Sequence, residues 1–187
     1  MPRIQELPYE SASPATRAIY DGLRDRYGEV LQSVAVTARH PEVLDAYLHF
    51  ERKLHRAALL EPRLKHLVEL KVAAHLGCAF CIDLGSYLGA AGGVTEAQIV
   101  DLPAYRTSAA FSERERTALD YAMAMSGVRS EVPDALFARL RAEFTDEQIL
   151  ELTGVAAWEN FRGRFNRALD LQAHGFAAGS VCALPEL

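Results

Sequence analysis

Two cysteines with two residues between them, in the run Gly77-Cys78-Ala79-Phe80-Cys81, are the part of this chain best suited to chemistry. Gly77 can end one helix and let a second begin near Cys78. On that second helix the two cysteines share a face about one turn apart, so their sulfurs can come close enough to bond. Backbone N–H groups at a helix start stabilise a thiolate, which lowers a thiol pKa and raises reactivity near neutral pH. Such a thiolate attacks a peroxide or a disulfide, and its neighbour resolves the product. The spacing also fits two buried, inert cysteines or half of a zinc site. Structural zinc takes four N or S ligands; the sequence has no second CxxC, and only the distant His174 and Cys182 could complete a set.

Other residues extend this candidate site. His66 and Glu69 lie three apart on the preceding helix, where imidazole and carboxylate can meet. A carboxylate beside histidine orients it and raises its basicity, as a proton shuttle for thiol chemistry requires; a solvated surface pair has the same spacing. Cys78, Cys81, Gly85, Gly89 and Gly92 fall on one helical face. Glycine within a helix costs about 0.5–1 kcal/mol relative to alanine, so several on one stripe point to a close neighbour: a helix, a subunit or a substrate. Cys182 is either a third redox partner or an idle thiol. His75 either adds positive charge near the thiols or caps its helix end, and Asp83, opposite Cys81, reads as structural.

The elements that must hold these residues are helical. Ser13-Pro14 opens a helix that runs to about Arg26 and stops at Gly28; Pro41, Pro62 and Pro133 open others. Thr95–Gln98, Ser112–Glu115 and Thr145–Gln148 carry the capping-box pattern. Strand-type alternation is missing, which predicts an all-α protein of about eight or nine helices. The last helix, from about Thr145 to Leu171, has Leu150, Ala157, Phe161, Phe165 and Leu169 at helical spacing, predicting a core stripe. Its other side runs Leu152, Val155, Glu159, Arg162, Asn166. A helix apolar on two sides is largely buried, so this polar row is expected to be enclosed or at a subunit contact. Glu159 and Arg162 are expected to pair at i, i+3.

Composition sets outer limits. The 187 residues suit one domain, 1–187, and half are hydrophobic, enough for a core. Net charge is −5 and the basic residues are scattered, which argues against a nucleic-acid partner. Neither a membrane-length apolar run nor a signal core is present, so a cytoplasmic protein is expected. Three cysteines are too few for a secreted disulfide scaffold.

The helix Arg63-Leu64-Lys65-His66-Leu67-Val68-Glu69-Leu70-Lys71-Val72-Ala73, followed by Gly77-Cys78-Ala79-Phe80-Cys81-Ile82-Asp83-Leu84, resembles the carboxymuconolactone decarboxylase family, specifically its AhpD-like alkylhydroperoxidase branch. The core resemblance spans about 40–102, with a helical extension over 112–171 and an irregular tail over 175–187. Glu159-Asn160-Phe161-Arg162-Gly163-Arg164-Phe165-Asn166 also resembles the C-terminal signature of longer relatives.

The resemblance implies an AhpD-like helical bundle and a homo-oligomer; no cofactor and no metal are expected. It implies reduction of a small peroxide or disulfide through Cys78 and Cys81, with electrons from a dithiol protein. It makes Cys81 the attacking residue, whereas position at the helix start favours Cys78. The branch places a glutamate twelve residues before the first cysteine and a histidine four after the second; here those positions hold His66 and Gly85. The catalytic set expected is therefore Cys78 and Cys81, with His66 and Glu69 as a substitute relay. A non-catalytic, redox-sensitive oligomer that lost the relay, or a lyase of the sister branch, are the alternatives.

Overall fold

Proline and hydroxyl side chains set where the helices begin. In the computed structural model, which describes residues 1–186, helix α1 (Pro14–Tyr27) starts where the Ser13 hydroxyl accepts the Thr16 N–H at 3.2 Å. It is followed by α2 (Gln32–Thr37), α3 (Pro41–Arg56), α4 (Pro62–Leu76), α5 (Ala79–Ala91) and α6 (Glu96–Val100). The series ends with α7 (Glu113–Ser126), α8 (Asp134–Glu143) and α9 (Asp146–Ala168). Reciprocal capping bonds form at Thr95–Gln98, Ser112–Glu115 and Thr145–Gln148, each satisfying helix-end donors locally. The described residues hold nine α-helices, two single-turn 3₁₀ segments and no strand: the protein is all-α. No helix among them is long and apolar enough to cross a membrane.

The chain divides into two compact units. One comprises Met1–Arg56 with Ala168–Gln172. It holds α1–α3 around Tyr20, Val34, Ala35, Val36 and Leu44, and the Tyr20 hydroxyl donates to the Leu7 carbonyl at 2.9 Å. The other comprises Ala57–Arg167 and the chain from Ala173 onward, and contains the cysteine pair. Its centre is α4, whose Leu67, Val68, Leu70 and Val72 are wholly covered, with α5 and α7 packed on it. Even Lys65 and Lys71 of α4 are buried, Lys65 against Glu151 at 3.0 Å and Lys71 against Glu186 and the Tyr105 ring.

The core stripe expected on the last helix is reversed. Leu150 is 73 % exposed, Phe161 is 44 % exposed and Ala157 is exposed, while Leu152, Val155, Ala156, Glu159, Gly163 and Asn166 face inward. The reason is partly steric. A Cβ on Gly163 would lie 2.6 Å from Leu76 Cδ1, so α9 meets the end of α4 where no large side chain fits. Trp158 and Phe161 instead stack on one another at 4.9 Å, and Phe161 on Phe165 at 5.5 Å. The polar row Glu159, Arg162, Asn166 is enclosed, as the two-sided pattern implied, and Glu159 and Arg162 are paired.

The irregular tail is firmly held. Asp83 on α5 accepts the backbone N–H groups of His174 at 2.8 Å, Gly175 at 2.7 Å, Phe176 at 3.2 Å and Ala177 at 2.9 Å. Burial raises the Asp83 pKa, but these four donors outweigh it and hold the carboxyl below its ordinary value. Farther on, Ser86 accepts the Ala183 N–H at 3.0 Å, and the Glu186 N–H donates to the Ala74 carbonyl at 2.9 Å.

Candidate active site

Gly77 makes the corner that delivers the cysteines. Its φ of 63° is left-handed, open to glycine at little cost, and it turns the chain from the end of α4 into α5. Cys78 is then the N-cap of α5, its Sγ accepting the Cys81 N–H at 3.3 Å. The two cysteines are joined as a disulfide with Cα atoms 5.2 Å apart. Cys78 is 1 % exposed and Cys81 9 %, so Cys81 is the less covered residue of the pair. Asn166 of α9, itself 1 % exposed, donates its Nδ2–H to Cys81 Sγ at 3.3 Å.

His66 and Glu69 meet on α4, with Nδ1 and Oε2 3.3 Å apart. The other Glu69 oxygen accepts from Arg162 at 2.9 Å, and the Arg162 Nε–H donates to Glu159 at 2.7 Å. Burial by itself would raise the Glu69 pKa; the Arg162 charge, with help from His66, overrides it and lowers the pKa to about 2. A carboxylate held that low is a poor proton acceptor near neutrality and a good orienting group.

The glycine face of α5 is explained by α4. A Cβ on Gly85 would touch Leu70 at 3.4 Å, and one on Gly92 would lie 2.8 Å from His66 Nε2. The close neighbour is thus a helix of the same unit, and His66 occupies the space that Gly92 leaves. Gly92 follows Cys81 by eleven residues, which is about 16 Å along a helix. His66 and Glu69 accordingly make no hydrogen bond to either sulfur among the described residues. What joins the two ends is the inner row of α9: Asn166 at Cys81, and one turn earlier Arg162 at Glu69.

The remaining candidates separate from the pair. Cys182 is a free, exposed thiol, and His75 is exposed at the end of α4. The His174 ring packs edge-on against Phe80 and stacks on Phe176. No three His, Cys, Asp or Glu side chains gather as a metal site among the described residues. The contacts of Arg162 and Asn166 were not readable from sequence. Their enclosure was signalled by a polar row on a two-sided apolar helix, but not their partners, which lie 93 and 85 residues away.

Comparison with known proteins agrees with this architecture. The uncharacterized protein YnjA of Escherichia coli K12 is 34% identical over 164 residues, 87% of each chain. The uncharacterized protein YdfG of Bacillus subtilis 168 is 30% identical over 110 residues, 58% of this chain and 75% of that one. Among solved structures, the apo debrominase Bmp8 superposes with a TM-score of 0.83 at 20% identity over 95% of both chains. The alkylhydroperoxidase AhpD core of a peroxidase-related protein from Ralstonia eutropha JMP134 does so with 0.82 at 19% over 97% of both. At such identities the likeness is one of fold. Residues 41–124, from α3 into α7 and spanning both cysteines, match the carboxymuconolactone decarboxylase family, and with the AhpD-like fold around them the chain belongs to that family.

Proposed function

We propose that the protein is a thiol-dependent peroxidase and disulfide reductase working through Cys78 and Cys81. The observation that carries this reading is the sulfur pair itself, bonded within the first turn of α5. In the reduced protein the Cys81 thiolate attacks a hydroperoxide; the O–O bond breaks, the departing alkoxide takes a proton from water and leaves as an alcohol, and Cys81 becomes a sulfenic acid. The Cys78 thiolate attacks that sulfur and forms the disulfide, and the displaced hydroxide is neutralised to water by the proton that the Cys78 thiol gave up to solvent. A dithiol partner then restores both thiols by two exchanges and is itself oxidised. The greater exposure of Cys81 supports its role as the attacking sulfur. His66 exchanges protons with the site through water, since it makes no hydrogen bond to either sulfur, while Glu69 orients it; their contact and the low Glu69 pKa support this division.

Peroxide consumption with a dithiol reductant tests the reading. Cys78→Ser and Cys81→Ser are each expected to reduce turnover at least a hundredfold, and His66→Ala to change the pH–rate profile. Peroxide consumption that survives both serine variants would end the thiol reading, and a wild type that consumes no peroxide would leave a lyase of the family's other branch. An unchanged profile in His66→Ala would remove the histidine from it.

The protein is further proposed to assemble with copies of itself through the outer face of α9. Support comes from the stacked Trp158–Phe161–Phe165 row and the exposed Leu150. Sedimentation should give an oligomer that Phe161→Glu dissociates; a monomeric wild type would defeat this.

A further inference from the structure

Asn166 is an unusual choice for its position. It is 1 % exposed, its Nδ2–H points at Cys81 Sγ from 3.3 Å, and its Oδ1 is buried with no hydrogen-bond partner among the described residues. Asparagine is a weaker helix former than leucine, and a buried acceptor without a donor is destabilising. Leucine has the same branched heavy-atom skeleton and carries neither cost. The carboxamide is also held firmly. One turn earlier Gly163 lets α9 close on Leu76, and the adjacent Arg167 guanidinium donates to the Leu76 carbonyl. The backbone that leads into Gly77 and Cys78 is therefore the backbone that fixes Asn166.

We propose that Asn166 is a catalytic residue that makes the site selective for hydroperoxides: its Nδ2–H holds negative charge on the Cys81 sulfur, and its Oδ1 accepts the O–H of the incoming hydroperoxide. This rests on the thiol peroxidase reading above. The Cys81 thiolate attacks the hydroxyl-bearing oxygen, and the S–O bond forms as the O–O bond breaks. The departing electron pair leaves on the alkoxide, which takes a proton from water. Sulfur is oxidised, the peroxide is reduced, and the O–H remains on Oδ1 as part of the sulfenic acid. When Cys78 displaces that oxygen as hydroxide, Nδ2–H again faces a disulfide sulfur, as it does here. A dialkyl disulfide brings no O–H and leaves Oδ1 unsatisfied, so it is the poorer oxidant.

Two readouts test this. In a Cys78→Ser/Cys182→Ser background, alkylation of Cys81 by iodoacetamide is followed against pH. Adding Asn166→Leu is expected to raise the midpoint by about one unit, a tenfold slower reaction below it. In the chain with both active-site cysteines, Asn166→Leu should slow oxidation by tert-butyl hydroperoxide at least tenfold more than oxidation by a dialkyl disulfide. An unchanged midpoint and an unchanged ratio, in a protein that consumes hydroperoxide, would overturn the role of Asn166 alone. A wild type inert to hydroperoxide would remove the peroxidase reading and this inference with it. Should Asn166→Leu not fold, the side-chain ¹⁵N resonance of Asn166 in the wild type decides. It is expected to move when the disulfide is reduced, and a stationary signal would overturn the proposal.

Discussion

Arg162→Ala is expected to lose about 3–5 kcal/mol of folding stability at pH 7, measured by urea unfolding. The guanidinium lies between two carboxylates, donating to Glu69 at 2.9 Å and to Glu159 at 2.7 Å, and Glu159 is only 2 % exposed. Removing the cation leaves that negative charge inside a helix bundle, which costs more than the ion pairs themselves contribute. The sign of the pH dependence distinguishes this from lost packing. In the wild type Glu69 has a pKa of about 2 when folded against an ordinary 4.5, so the unfolded chain binds the proton first. Its stabilising contribution is complete above about 4.5 and is lost as pH falls towards 2. Without Arg162 the burial that opposes ionisation has less to offset it, and protonation relieves the folded state. The deficit relative to wild type should therefore narrow as pH falls from 7 to 5. A deficit constant across that range would show that Arg162 acts through packing alone.

Ending the chain at Gln172 is expected to cost roughly 3–5 kcal/mol, read as a large fall in thermal midpoint. The loss follows from two charges that the tail accommodates. Asp83 has four backbone donors from residues 174–177, and the buried Lys71 ammonium has Glu186. Asp83→Asn keeps the side-chain shape and weakens only the first grip, so it should cost less, about 1–3 kcal/mol. Because the Asp83 pKa is lowered by folding, its contribution is present above the ordinary carboxylate range and is lost as pH falls through the folded value. Amide exchange at residues 174–177 should quicken in Asp83→Asn. A shortened chain as stable as the full one would show the tail to be only a passenger.

Local chemistry was legible in the sequence, and long-range partnership was not. Ser13, Thr95, Ser112 and Thr145 each satisfy a donor three residues away, so a reader of neighbours finds those helix starts. Gly77 and the cysteine N-cap are local in the same sense. The glycine face of α5 showed that something approaches, and only the packed structure shows that it is Leu70 and His66. On α9 the larger side chains suggested the inner face, yet that face is decided by Leu76 at Gly163 and by Glu69 at Arg162. Residue size ranks hydrophobicity; it carries no information about what stands opposite. The tail has no periodicity at all, and its order comes from groups far off in sequence: Asp83, Ser86, Ala74 and Lys71.

Cys78 caps the start of α5 with its sulfur, and that same atom is bonded to Cys81, the pair assigned above to the proposed redox cycle. Every two-electron event is consequently also a change of the helix's end group: a neutral disulfide sulfur in one state, and in the other a group able to carry charge where the positive pole of α5 emerges. In that cycle secondary structure and electron count are thus written on a single atom.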